Sequence, residues 1–128
     1  MPLDMDDPRE WLALAVADLA AAKLLVVHSQ HSVVRLGCFH IQQAAEKALK
    51  AVLVANGVNP PRTHDIGRLL RLCSRDADLD LLYEPLDSTT YFAVEIRYGD
   101  FDLPPTREIE HLLHAVDRLL EWVSTRIG

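Results

Sequence analysis

This chain has few of the residues that hold metals or phosphate loops, and its one long apolar run is interrupted. Its 128 residues include two cysteines, Cys38 and Cys73, and neither sits in a Cys-x-x-Cys or Cys/His spacing. A structural zinc is therefore not expected, and buried free thiols in a reducing compartment are. Glycine-rich phosphate loops, Gly-x-Ser-x-Gly elbows and His-Glu-x-x-His pairs are all missing. His111 and His114 lie three apart without a carboxylate to complete a ligand set, so neither a metal nor another cofactor is expected. Positive charge is also short, with 13 Lys and Arg against 19 Asp and Glu, a formal net charge of −6. A protein that grips nucleic acid by neutralising many phosphates is usually basic, so DNA is not an expected partner, while a local nucleotide site stays open. The longest apolar stretch, Trp11 to Val27, is broken by Asp18 and Lys23 and reads as a buried amphipathic helix, not a membrane span. The start is acidic (Asp4, Asp6, Asp7), where a secretory signal would be basic, so a cytoplasmic setting is the expectation.

What is present is helix-forming sequence. The apolar fraction is 49% with 25% charged residues, and residues 1–128 form one domain with one core. The central element is the second helix, from about Val33 to Ala55. About 100° per residue puts Gly37, Cys38, Ile41, Ala44, Ala45, Ala48, Leu49, Val52 and Ala55 on a wide apolar arc, while Arg35, His40, Gln42, Gln43, Glu46, Lys47 and Lys50 fall on a polar one. Asp7-Pro8-Arg9-Glu10 opens a first helix with a capping-box pattern. Asn56-Gly57 stops the second, and Asn59-Pro60-Pro61 is a stiff connector. A short third helix starts near Asp65, capped by Thr63 or Asp65. A fourth runs from about Leu79 to near Arg97 with a kink or fresh start at Pro85, and a fifth from about Thr106 to Arg126. With no strand in view, short links between amphipathic helices predict an all-α, up-and-down antiparallel four-helix bundle with a short additional helix.

Three places can carry chemistry. Arg97-Tyr98-Gly99-Asp100 puts a guanidinium at a helix end beside an aromatic ring, suited to phosphate and base, and equally to a helix cap and a local salt bridge. His40, Gln43 and Lys47 share a strip of the second helix; such a strip is a solvated face, a dimer seam or a ligand site. Thr63-His64-Asp65 is first a helix entry, with His64 held by a neighbouring carboxylate as a modest catalytic alternative. Arg35 and His40 form an Arg-x4-His string, but within one helix they sit about 140° apart and cannot converge on one phosphate.

The run Cys38-Phe39-His40-Ile41-Gln42-Gln43-Ala44-Ala45-Glu46-Lys47-Ala48-Leu49-Lys50-Ala51, followed by Pro61-Arg62-Thr63-His64-Asp65-Ile66 with Leu69 and Leu70, and then Ile96-Arg97-Tyr98-Gly99-Asp100, resembles the HEPN (higher eukaryotes and prokaryotes nucleotide-binding) domain family. The resemblance extends from Trp11 and Asp18-Leu19 to the last helix. It implies a helical bundle, commonly a homodimer, with a minimal nucleotidyltransferase as frequent partner in a toxin–antitoxin-like pair. It also implies one of two activities. One is a nucleotide-binding or adaptor subunit, with Arg97, Tyr98, Asp100, His40, Gln43 and Lys47 as its ligand site. The other is a metal-independent ribonuclease toxin acting on RNA, with Arg97 as charge stabiliser and His40 or His64 as general base. The sequence departs from the ribonuclease pattern, because no His follows Arg97-Tyr98 within six residues and Gly99 stands where Pro is frequent. A plain structural dimerisation module is the third reading.

Overall fold

The computed structural model describes residues 4–73, 76–95 and 102–128. Its elements are α1 (Pro8–Leu25), α2 (His31–Ala55), α3 (Ile66–Leu72), α4 (Ala77–Leu81), α5 (Tyr83–Ser88), α6 (Thr90–Glu95) and α7 (Thr106–Ile127). No strand occurs among the described residues, and no helix there is long and apolar enough to cross a membrane. The expected all-α bundle is present. α2 is its axis, packing against α1, α3, α6 and α7, while α1 and α7 close on each other. The core centres on the apolar arc of α2, where Ile41, Ala44, Ala45, Ala48, Leu49 and Leu53 are wholly buried, joined by Leu119, Val116 and Val123 of α7. Each large aliphatic side chain buried this way stabilises the fold by about 1.5–3 kcal/mol.

Local chemistry explains the helix boundaries. Asp7 caps α1 through its carboxylate, which accepts from the Arg9 N–H at 2.9 Å, with Pro8 in the first helical position. The reciprocal half of a capping box is not needed, because the Asp7 N–H donates to the Asp4 carbonyl at 3.1 Å. Helix α2 begins two residues earlier than the sequence suggests, at His31. It ends at Asn56, after which Gly57 takes φ +74°, the left-handed conformation in which a side chain is strained. Asp65 caps α3 by accepting from the Arg68 N–H at 3.2 Å. Thr90, far along the chain, also accepts from the Ile66 N–H at 3.0 Å.

The fourth helix departs from expectation in having a second break. Of the kink or fresh start expected at Pro85, the fresh start occurs, and a further break at Thr89 divides the described part of this stretch into three short helices, α4, α5 and α6. A proline at position 85 cannot donate to the carbonyl of Leu81, and its ring crowds that carbonyl. The helix accordingly breaks at Leu82, whose N–H turns to Leu79 at 3.0 Å, and Pro85 falls in the first turn of a new helix. At the second break the Thr89 hydroxyl donates back to the Leu86 carbonyl at 2.6 Å.

Helix α1 also departs from the reading of a buried helix. Ala15, Asp18, Leu19 and Ala22 are buried, but Ala13, Val16, Ala17, Ala20, Leu24 and Val27 are exposed. The approach of α2 to the end of α1 depends on Gly37. A Cβ there would lie 2.7 Å from Val26 Cγ1 and 3.0 Å from the Val26 backbone nitrogen.

Candidate functional site

The polar arc of α2 is not a solvated face. Gln42, Glu46 and Lys50 are buried, and His40, Gln43 and Lys47 are half-buried. Burying charges is costly unless they are paired, and here two buried carboxylates organise the pairing.

The first is Asp18 of α1, which faces α2. Its Oδ1 lies 2.8 Å from His40 Nδ1, and its Oδ2 accepts from Lys47 Nζ at 2.6 Å. An ionised carboxylate only accepts, so the His40 Nδ1 carries the proton and Nε2 faces away. Lys47 keeps two further N–H donors. The side chains of His40 and Lys47 are 27% and 24% exposed, so a solute can reach them, while Asp18 at 11% lies behind them. Phe39 packs edge-on to the His40 ring at 5.8 Å between centroids.

The second is Glu46, one of the most enclosed charges on α2, with its side chain 6% exposed. It accepts from Lys50 Nζ at 3.1 Å and from Gln42 Nε2 at 3.1 Å. His64 Nδ1 lies 2.7 Å from its Oε1. Gln42 also donates to the His64 carbonyl at 3.0 Å, and Gln43 donates to Gln42 Oε1 at 2.7 Å. The Lys50 ammonium stands 5.7 Å from the centroid of Trp11, whose indole N–H donates to the Met5 carbonyl at 2.8 Å. The connector after α2 is therefore pinned to the helix through His64, with half of that side chain still open to solvent.

These contacts correct two expectations. The carboxylate that holds His64 is Glu46, whereas Asp65 serves the α3 cap. The strip His40-Gln43-Lys47 belongs to the α1–α2 seam, since Asp18 grips both ends of it. Arg35 lies inside the continuous helix α2, so it and His40 stay on different faces, as the spacing requires. His40 and Glu46 are also about 120° apart around α2, so the two histidines serve separate flanks. Arg97, Tyr98 and Asp100 lie outside the described residues. No group of three or more His, Cys, Asp or Glu suited to a metal occurs among the described residues.

The anchoring role of Asp18 was not legible, because nothing in its local sequence shows what it faces. Gln42, Glu46 and Lys50, spaced four apart, did carry a signal for a ladder along one helix face.

Comparison with known proteins follows this geometry. The family model for the HEPN domain matches residues 8–126. Among solved structures, the chain is similar to ST0689, an archaeal HEPN homologue, with 26% identity and a TM-score of 0.71 over 95% of this chain and 98% of that one. It is also similar to TT1696 from Thermus thermophilus, with 28% identity and a TM-score of 0.74 over 93% of this chain and 97% of that one. No curated protein matches the chain.

Proposed function

The chain belongs to the HEPN domain family, and from that premise we propose that it is a nucleotide-binding subunit that works with a minimal nucleotidyltransferase as its partner. The observation that carries this reading is the Asp18 clamp: one buried carboxylate holds His40 at 2.8 Å and Lys47 at 2.6 Å on a strip that solvent reaches. Both side chains are thereby fixed before a ligand arrives, which lowers the ordering cost of binding. His40 Nε2 and the remaining Lys47 N–H groups are directed to phosphate oxygens, and Gln43 lies between them in sequence to meet a base edge. Arg97, Tyr98 and Asp100, which lie outside the described residues, are assigned to the same ligand, Arg97 for phosphate and Tyr98 for a base. The test is calorimetric titration of nucleotides into the purified protein, alone and with a minimal nucleotidyltransferase. Saturable heat is expected, and its absence in both arms removes the ligand.

A second reading, a metal-independent ribonuclease, is favoured by one specific observation. His40 and His64 each turn Nδ1 to a carboxylate, the arrangement that leaves Nε2 able to take a proton. In that case Arg97 stabilises the developing charge on phosphorus and one of these histidines is the base. RNA incubated with the protein in EDTA distinguishes the readings. Under the first the RNA survives; under the second it is cut, and Arg97→Ala abolishes the cutting.

A further inference from the structure

A cavity of about 750 Å³ opens between the start of α1, the last turns of α2 and the connector that follows. His40, Gln43 and Lys47 take no part in its lining. Its volume is that of a small-molecule site. One wall is apolar, built from Trp11, Val58, Pro60 and Pro61, and it is fixed in place. The Trp11 indole N–H is held by the Met5 carbonyl at 2.8 Å. The chain turns back at Gly57, and the Val58 N–H donates to the Leu53 carbonyl at 2.8 Å. Pro60 and Pro61 set their own backbone angles. Beyond them, Gln42 ties the connector to α2 through the His64 carbonyl at 3.0 Å. A cavity with walls set beforehand loses little to ordering when a ligand enters.

Two cations line the same cavity. Lys50 is buried, yet only one of its three N–H groups has an acceptor among the described residues, Glu46 at 3.1 Å. A buried donor without an acceptor is costly, so the other two favour any acceptor that enters. Arg62 is exposed, and its guanidinium forms no hydrogen bond or ion pair among the described residues. The Lys50 ammonium also stands 5.7 Å from the centroid of Trp11, so the positive end of the cavity adjoins its aromatic wall.

We propose that this cavity is a second ligand site, for a small organic acid that carries one carboxylate on an apolar body. The carboxylate accepts from Lys50 and from Arg62, whose planar guanidinium presents paired N–H groups to two carboxylate oxygens. The body lies against Trp11, Val58 and the two prolines. Charge selects a carboxylate over a phosphate. Glu46 already balances Lys50, and Asp6 lines the cavity together with Arg62. Two cations against two carboxylates leave no positive surplus for a phosphate dianion, whereas a carboxylate brings a single charge. Asp6 also offers a partner to an ammonium, so an amino acid with an apolar side chain is one source of this chemistry and a simple acid is the other.

The chain has two tryptophans, and their indole N–H resonances in a proton–nitrogen correlation spectrum report on the site and supply a control. Trp11 lines the cavity, while Trp122 lies on α7 away from it, and Trp11→Phe assigns the pair. Phenylacetate, L-phenylalanine and inorganic phosphate are titrated in turn at pH 7.5. The Trp11 resonance is expected to move saturably with one or both acids at about millimolar concentration, with Trp122 unmoved and phosphate at least about tenfold weaker. Arg62→Ala, a change at an exposed site, weakens the binding about tenfold with the helical spectrum unchanged. Tighter binding of phenylalanine identifies the amino acid as the source, and tighter binding of phenylacetate the simple acid; both support the site. No saturable shift with either acid, phosphate binding as tight as theirs, or an affinity indifferent to Arg62→Ala overturns the proposal. Nucleotide titration reads the His40 strip instead, so the two sites stand or fall separately.

Discussion

Asp18 and Glu46 are both carboxylates buried against the same helix, and each holds a lysine and a histidine, yet they differ in kind. Glu46 is closed in: its lysine, Lys50, is 11% exposed, and it takes two of its partners from its own helix at intervals of four residues. Asp18 reaches across from α1 to two side chains that are each about a quarter exposed. The first arrangement fastens the connector to α2 and belongs to stability. The second leaves two donors at the surface in fixed positions, as a binding strip requires. The lysines separate the two clusters, Lys50 being 11% exposed and Lys47 24%, whereas the histidine on the Glu46 side, His64, is itself half open to solvent.

The comparison is broken most severely at Glu46. Glu46→Gln leaves the Lys50 ammonium buried without its counter-charge, and a loss of about 3–5 kcal/mol in urea unfolding is expected. A loss below about 1 kcal/mol would mean that Lys50 finds water and that the two clusters are alike. Asp18→Asn is expected to cost less, about 1.5–3 kcal/mol, because His40 and Lys47 can turn to solvent when released. Gly37→Ala sharpens the difference from the backbone side. The added methyl presses on Val26 and Leu25, and it should destabilise by about 1–3 kcal/mol while loosening the seam that aligns Asp18 with α2.

The apolar flank gives a readout without mutation. Burial pushes the thiols of Cys38 and Cys73 up to about 11, so thiolate is scarce at neutral pH. Alkylation by iodoacetamide at pH 7.5 should proceed only as fast as the fold opens, and rapid labelling of the folded chain would contradict the packing. The smallest effect is at the periphery. The Asp76 carboxyl is held below its ordinary range, first by the Asp78 backbone N–H and with help from Arg126. A lowered carboxylate contributes stability that is present above its unfolded-state pKa and lost as pH falls through the folded one. Asp76→Asn should therefore lower stability slightly at neutral pH, where this contribution is present, and flatten the acid limb of the stability curve, with the variant and the wild type converging at low pH.

Helix type, order and caps were legible because Asp7, Asp65, Gly57 and the apolar steps of α2 and α7 act locally. The break at Leu82 was legible only in part. Pro85 announced it, but whether a helix kinks or restarts is decided by packing, and here Thr89 and Thr90 supply the hydrogen bonds of a restart and of the neighbouring α3 cap. Of the candidate site, His40, Gln43 and Lys47 were found by helical spacing alone. Asp18, their anchor, was not, because it lies 22 residues from His40 and 29 from Lys47 and meets them only through the α1–α2 register. The outer face of α1 was misread for a related reason: an apolar helix does not say which of its sides the rest of the chain will cover.

The central claim is that the clamped strip receives a nucleotide, and titration calorimetry on the wild type beside Lys47→Met tests it most directly. The account predicts saturable binding by the wild type and about tenfold or weaker affinity in the variant, with both proteins folded. Equal affinities in the two, or no heat from either, would contradict it.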